Sequence, residues 1–197
     1  MSAAEVTQKG SAPMQWSRML ADQVDWHWTT QARPRLDGLT DEEYRWEPVP
    51  GAWNVRPRGG RPGRGAQAFG SGAGVVDFAV PEPTPPPLTT IAWRLSHLVV
   101  GVLGDRNARF FDGPGTSYDS YDYPLRAEAS LHDLDAGFAR WIGGVRALTD
   151  TDLLAACGEP GHEDASMAEL VLHIHRELIH HLAEVALLRD LWAHRHD

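Results

Sequence analysis

An all-α fold, an antiparallel four-helix bundle with a long irregular insertion between helices 1 and 2, is the architecture the sequence predicts. Three observations lead to it. Four segments carry apolar residues at helical spacing. Several of them open on capping signals. Strand-like character is confined to one Pro- and Gly-rich stretch at 48–88. Four substantial helices with few strands pack most simply as a bundle around one core. At 197 residues the chain is long enough for one domain, which we place at 13–197, after a polar, flexible arm at 1–12.

Met19, Leu20, Val24, Trp26 and Trp28 fit an amphipathic helix from about Met14 to Leu36, bent or ended by Pro34. Thr40-Asp-Glu-Glu43 has capping-box spacing and predicts a short helix at DEEYRW. The insertion holds PVPGAW, RPRGGRPGRG and PEPTPPP, and within it Trp53–Arg56 and Val75–Val80 could pair as a small β-hairpin. Thr90 can cap IAWRLSHLVVGVLGDRNARFF, which is apolar on nearly every face until Gly104, as suits a central helix. A Gly/Tyr/Asp loop at 113–124 precedes a helix in which Leu131, Leu134, Phe138, Trp141, Val145 and Leu148 step by three and four, with Ser130 as its cap. Ser166-Met-Ala-Glu169 repeats the capping box and opens a last helix running to about Trp192.

Bulk properties narrow the function. The formal net charge is −9, against a general nucleic-acid surface, which needs a basic stripe. No apolar run approaches a membrane span, and the start MSAAEVTQKGSAPMQW has no apolar signal core. Cys157 is the single cysteine, so no intrachain disulfide forms and a reducing cytoplasm is expected. No sequence neighbour supplies a base that would make its thiol a nucleophile. The expected partner is a small molecule, and the apolar second helix and eight tryptophans could also support a homodimer.

The chemistry concentrates in LHIHRELIHHLAEVALLRDLW at 172–192. Ile174, Leu178, His181, Val185, Leu188 and Trp192 step by +4, +3, +4, +3, +4, so His181 occupies a core position. Glu177 lies one turn before it, with stems about 5–6 Å apart, and a buried carboxylate is costly unless it is paired, protonated or metal-bound. The third donor would come from another helix, and His97 is the only histidine in the apolar second one. Two histidines and a glutamate with an open fourth position make a catalytic type of zinc site. His173, Glu177, His180 and Glu184 form a neighbouring row, so His173 or His180 could replace or support these ligands. Glu177-Leu-Ile-His180 matches the Glu-x-x-His element of di-iron bundles, but its one echo, Glu159-Pro-Gly-His162, falls in a turn. Histidines packed without a metal are the plain alternative. On that reading His175 faces solvent, His194 and His196 fray with the helix end, and His27 is an amphipathic packing residue; with a metal bound, His27 could instead support the site or replace a ligand.

Taken together, LTDEEYRWEPVPGAWNV, TTIAWRLSHL and the terminal IHHLAEVALLRDL resemble the DinB/YfiT-like superfamily, in particular its actinobacterial members, from about Asp25 to Trp192. The resemblance implies a four-helix bundle holding a divalent metal, commonly zinc or nickel. Its ligands are a histidine on the second helix and an H-x-x-x-H pair on the last, which correspond to His97, Glu177 and His181. Glutamate at the first position of that pair departs from the commoner pattern but agrees with the mycothiol-dependent maleylpyruvate isomerase branch. His181-Leu-Ala-Glu184 departs from the commoner H-R-G-Q ending. The activity that the resemblance implies is S-transfer or isomerisation of a small electrophile with a low-molecular-weight thiol such as mycothiol. A metal-dependent hydrolase and a non-catalytic metal- or small-molecule-binding stress-response module are the alternatives.

Overall fold

A computed structural model describes residues 14–196, and the expected arm at 1–12 lies outside them. Helix α1 (Trp16–His27) continues through a π-helical turn at Trp28–Ala32 and a 3-10 turn at Arg33–Leu36. Its buried residues are Ser17, Ala21, Val24, Trp28, Ala32 and Leu36. Met19 and Trp26, expected on the core face, are exposed instead. The buried stripe runs through Ser17, Ala21, Val24 and Trp28, which puts Met19 and Trp26 on the opposite side of the helix.

Short helix α2 (Asp41–Tyr44) is capped by Thr40, whose hydroxyl accepts from the Glu43 backbone N–H. The Glu43 carboxylate is buried and paired with Arg189. The Asp41 carboxylate accepts from the backbone N–H of Ala127, across the molecule. It thereby serves a free N–H in the first turn of another helix.

The insertion holds a three-stranded antiparallel sheet of order β1-β3-β2: β1 (Val55–Pro57), β2 (Gln67–Phe69) and β3 (Gly74–Phe78). Val55 pairs with Val76, and Phe69 with Val76 from the other side. The expected hairpin is thus present in shifted form, with an additional strand from the Gly/Arg-rich loop. Asp77 is fully buried. It accepts from the Asn54 backbone N–H at 2.9 Å and from Arg56 Nε at 2.8 Å, fastening the middle strand to the chain before it. Trp53 is a core residue whose indole N–H donates to the Arg64 carbonyl.

The second long helical segment is α3 (Ile91–His97), a π-helical stretch Leu98–Gly104, and α4 (Asp105–Phe110). Thr90 caps it as expected, accepting from the Trp93 N–H. Its apolar faces are consumed inside the chain, where Leu95, Leu98 and Leu103 have no exposure. Helix α5 (Ala127–Ala147) begins before Ser130, which is buried within it rather than capping it. After α6 (Asp150–Leu154), α7 (Met167–Ala193) opens on a reciprocal Ser166/Glu169 capping box. Helix α1 packs on α5 and α7, and the 91–110 segment also packs on both. One core cluster reaches from Ala21 to Val185. Among the described residues, no helix is long and apolar enough to cross a membrane.

Candidate metal centre

Helix α7 buries two adjoining stripes. The expected seam is there, with Ile174, Leu178, His181 and Val185 buried. So is a second, Val171, His175, Leu178 and Leu182, because α7 is covered by α1, α3, α6 and both π-helical stretches. This corrects the expectation for His175. It is 3% exposed, packs edge-on to Trp141, and neither ring nitrogen has a hydrogen-bond partner among the described residues. Burial pushes it down to about 4. The folded state therefore keeps His175 neutral, whereas the unfolded chain protonates near 6.5. Its contribution to stability is present above about pH 6.5 and is lost as pH falls toward 4. Chemical denaturation of the metal-free chain across this window should show stability falling with pH. His175→Leu should flatten part of that fall; an unchanged slope would contradict the assignment.

His97 and His181 meet across the interface of the second and last long segments. Their rings are 4.8 Å apart between centroids and nearly perpendicular. His181 Nε2 lies 3.5 Å from Glu177 Oε2. On its other side, His181 Nδ1 lies 2.7 Å from Glu184 Oε2. An ionised carboxylate only accepts, so the proton of a neutral His181 sits on Nδ1. The lone pair is then on Nε2, facing Glu177. His181 is lowered from its ordinary value, by burial first, against the pull of Glu184. Arg94 competes for the same corner: its NH1 is 3.3 Å from His181 Nδ1 and its Nε is 3.1 Å from Glu184 Oε2. The shorter, charge-assisted contact to Glu184 takes the Nδ1 proton, and Arg94 Nε, without a directed hydrogen bond, balances the carboxylate charge.

His97 stacks on Trp93 at 5.3 Å, and its Nδ1 lies 2.6 Å from the Tyr118 hydroxyl. Burial, with the charges of His181, Arg94 and Arg106 adding to it, pushes His97 down to about 3. It is a neutral imidazole at physiological pH, the form that binds metals. Burial raises Tyr118 to about 12, so its hydroxyl stays protonated.

The other candidates are placed differently. His173 Nδ1 accepts from Arg176 at 2.6 Å and sits 3.9 Å from Glu177 Oε1. His180 is exposed, with Nε2 3.5 Å from Glu184 Oε1. His180, His181 and Glu184 each offer a donor atom within 4.8 Å of one another, a group that could hold a metal ion. His27 is bonded to Gln31 and lines a groove with Leu182, Ala183 and Ala186, into which neither His97 nor His181 opens. A cleft of about 810 Å³ runs beside the first turns of α7, lined by Arg106, Cys157, Glu159, His162, His173 and Arg176 among others. That volume falls in the usual range for small-molecule sites.

Tyr118, Arg94 and Glu184 are the neighbours that sequence reasoning did not assign. Arg94 and Glu184 stand three residues from His97 and His181, on the same helix faces. Tyr118 comes from an aperiodic loop that gives no such signal.

A family model for the DinB superfamily matches residues 62–185. The chain belongs to that superfamily. The match begins within the insertion, after β1, and runs through Val185, and so includes His97, Glu177 and His181. The 39–55 stretch, which resembles the family by motif, precedes the matched span. No curated protein and no solved structure matches the chain.

Proposed function

We propose that this chain is a divalent-metal-dependent enzyme whose ion is held by His97, Glu177 and His181, and that it uses a small thiol of the mycothiol type for S-transfer to, or isomerisation of, a small electrophile. In this reading its four long helical segments form the superfamily's four-helix bundle. One observation carries the metal assignment: His181 Nε2 and Glu177 Oε2 face each other at 3.5 Å. The His181 proton is committed to Glu184 on the far side of the ring. Two lone-pair-bearing atoms with no proton between them repel unless a cation joins them.

The types of donor support such an ion, whereas the three residues whose donor atoms lie within 4.8 Å of one another among the described residues are His180, His181 and Glu184. Two neutral imidazoles and one carboxylate suit zinc, and nickel also accepts imidazole. Zinc would stabilise a thiolate at neutral pH or polarise a carbonyl. The chain's own part is to hold the imidazoles neutral by burial and to keep Arg94 and Arg106 near enough to favour anionic groups. The cleft beside the first turns of α7 has room for a small substrate, and His173 and Arg176 in its wall flank Glu177 on α7. With one cysteine in the chain, a reducing cytoplasm is the compartment we propose.

A second reading places the ion among His180, His181 and Glu184. It requires Arg94 to leave Glu184, and its first ligand is exposed.

The reaction is tested by incubating metal-free and zinc-loaded protein with an electrophile panel, with and without a low-molecular-weight thiol. Turnover that needs both zinc and thiol is expected. Turnover with zinc alone would favour the hydrolase. No turnover, with thermal stability unchanged on metal removal, would favour the binding module.

A further inference from the structure

Resting on the metal assignment, we infer that Tyr118 is the positioning residue of His97, and that the inserted sheet holds Tyr118 in place. Three independent features converge on this contact. First, the Tyr118 hydroxyl lies 2.6 Å from His97 Nδ1. A histidine that binds a metal through Nε2 carries its proton on Nδ1 and donates it to a neighbour, which fixes ring orientation and tautomer. Tyr118 is the group within hydrogen-bonding distance, and its oxygen accepts.

Second, the Tyr118 ring is stacked on Phe78 of β3 at 4.5 Å and 25°. Phe78 packs edge-on against Phe69 of β2 at 5.7 Å. The sheet therefore fixes the phenol that fixes the imidazole, although no strand residue touches His97 through a hydrogen bond among the described residues.

Third, residue 101, one turn beyond His97, is a glycine. A Cβ there would lie 2.5 Å from the Tyr118 hydroxyl oxygen and 3.0 Å from His97 Nδ1. Glycine leaves the gap through which the hydroxyl reaches the ring. The arrangement parallels His181, whose Nδ1 is held by Glu184. Each imidazole thus has Nδ1 engaged by a neighbour and Nε2 left for the ion. For His97 that neighbour is a neutral phenol, which leaves the donor set's charge unchanged.

Zinc affinity is measured by competition with a chromophoric chelator for the full chain and for Tyr118→Phe, Gly101→Ala and Phe78→Leu. Tyr118→Phe is expected to bind zinc about 10–100-fold more weakly, with the melting temperature of the metal-free protein little changed. Gly101→Ala, which keeps the tyrosine, should weaken binding in the same direction, and Phe78→Leu less so. Wild-type affinity in both Tyr118→Phe and Gly101→Ala would overturn the inference. If the parent chain itself binds no zinc, the metal assignment fails separately. The contact is then read from the ring-nitrogen NMR of metal-free protein: an Nδ1 resonance of His97 that does not move in Tyr118→Phe overturns it.

Discussion

Purified from a zinc-containing medium, the chain should carry about one divalent ion, and His181→Ala should carry none by elemental analysis. His181 is the residue shared by both metal readings, through Nε2 toward Glu177 and through Nδ1 toward Glu184. Its loss is therefore expected to be the most severe of the site substitutions. The companions separate the readings. His97→Ala should also lose the ion, whereas His180→Ala, altering an exposed ring, should keep it. The reverse pattern would move the ion to His180, His181 and Glu184. Full occupancy in a folded His181→Ala protein, checked by circular dichroism, would defeat both. The imidazole of His181 is itself mostly buried, so its truncation also leaves a cavity, and the folding check is needed.

Arg189→Ala is expected to destabilise the protein by roughly 3 kcal/mol, toward the lower end of what breaking a buried ion pair costs. Arg189 meets Glu43 with two parallel contacts, Nε to Oε1 at 2.7 Å and NH2 to Oε2 at 3.1 Å. It also donates to the carbonyls of Arg35 and Asp37. Glu43 is 4% exposed, so removing the guanidinium strands a carboxylate away from water. The Arg189 side chain keeps 19% of its exposure, so water screens part of the interaction. Urea denaturation of the single variant and of the double variant Arg189→Met/Glu43→Leu provides the check. The double variant should recover much of the loss, since an apolar pair needs no charge compensation. A loss below about 1 kcal/mol in Arg189→Ala would show the pair to be screened, as surface pairs are.

Helical content and the core register of His181 are legible in the sequence because both rest on local spacing; the choice of His97 as its neighbour rests instead on its being the one histidine of the apolar second helix. Capping residues, apolar steps and a histidine in a core register are written into consecutive positions. Features that depend on which neighbours cover a helix are not legible in this way. His175 reads as a solvent residue if α7 has one buried stripe and as a core residue if it has two, and only the packing decides. On α1 the same ambiguity puts Met19 and Trp26 inward, whereas the stripe that α5 and α7 cover runs through Ser17, Ala21, Val24 and Trp28. Strand β2 gives no signal because three residues with little burial show no alternation. Glu43 reads as a capping carboxylate, yet its partner lies 146 positions away on α7. Tyr118 has no periodic signal at all: its importance comes from a loop folding back onto the turn after His97.

The widened turns at Leu98–Gly104 have a bearing on how relatives should be compared. A π-helical stretch holds more chain per turn than an α-helix, so it acts as a built-in one-residue offset. A homologue with an unbroken α-helix here would superimpose up to His97. Without a gap, it would then be misregistered by one position at Arg106, about 100° around the axis. Sequence comparisons that forbid gaps inside helices would pair Arg106 with residues pointing elsewhere, and would judge that arginine variable even where its spatial equivalent is retained.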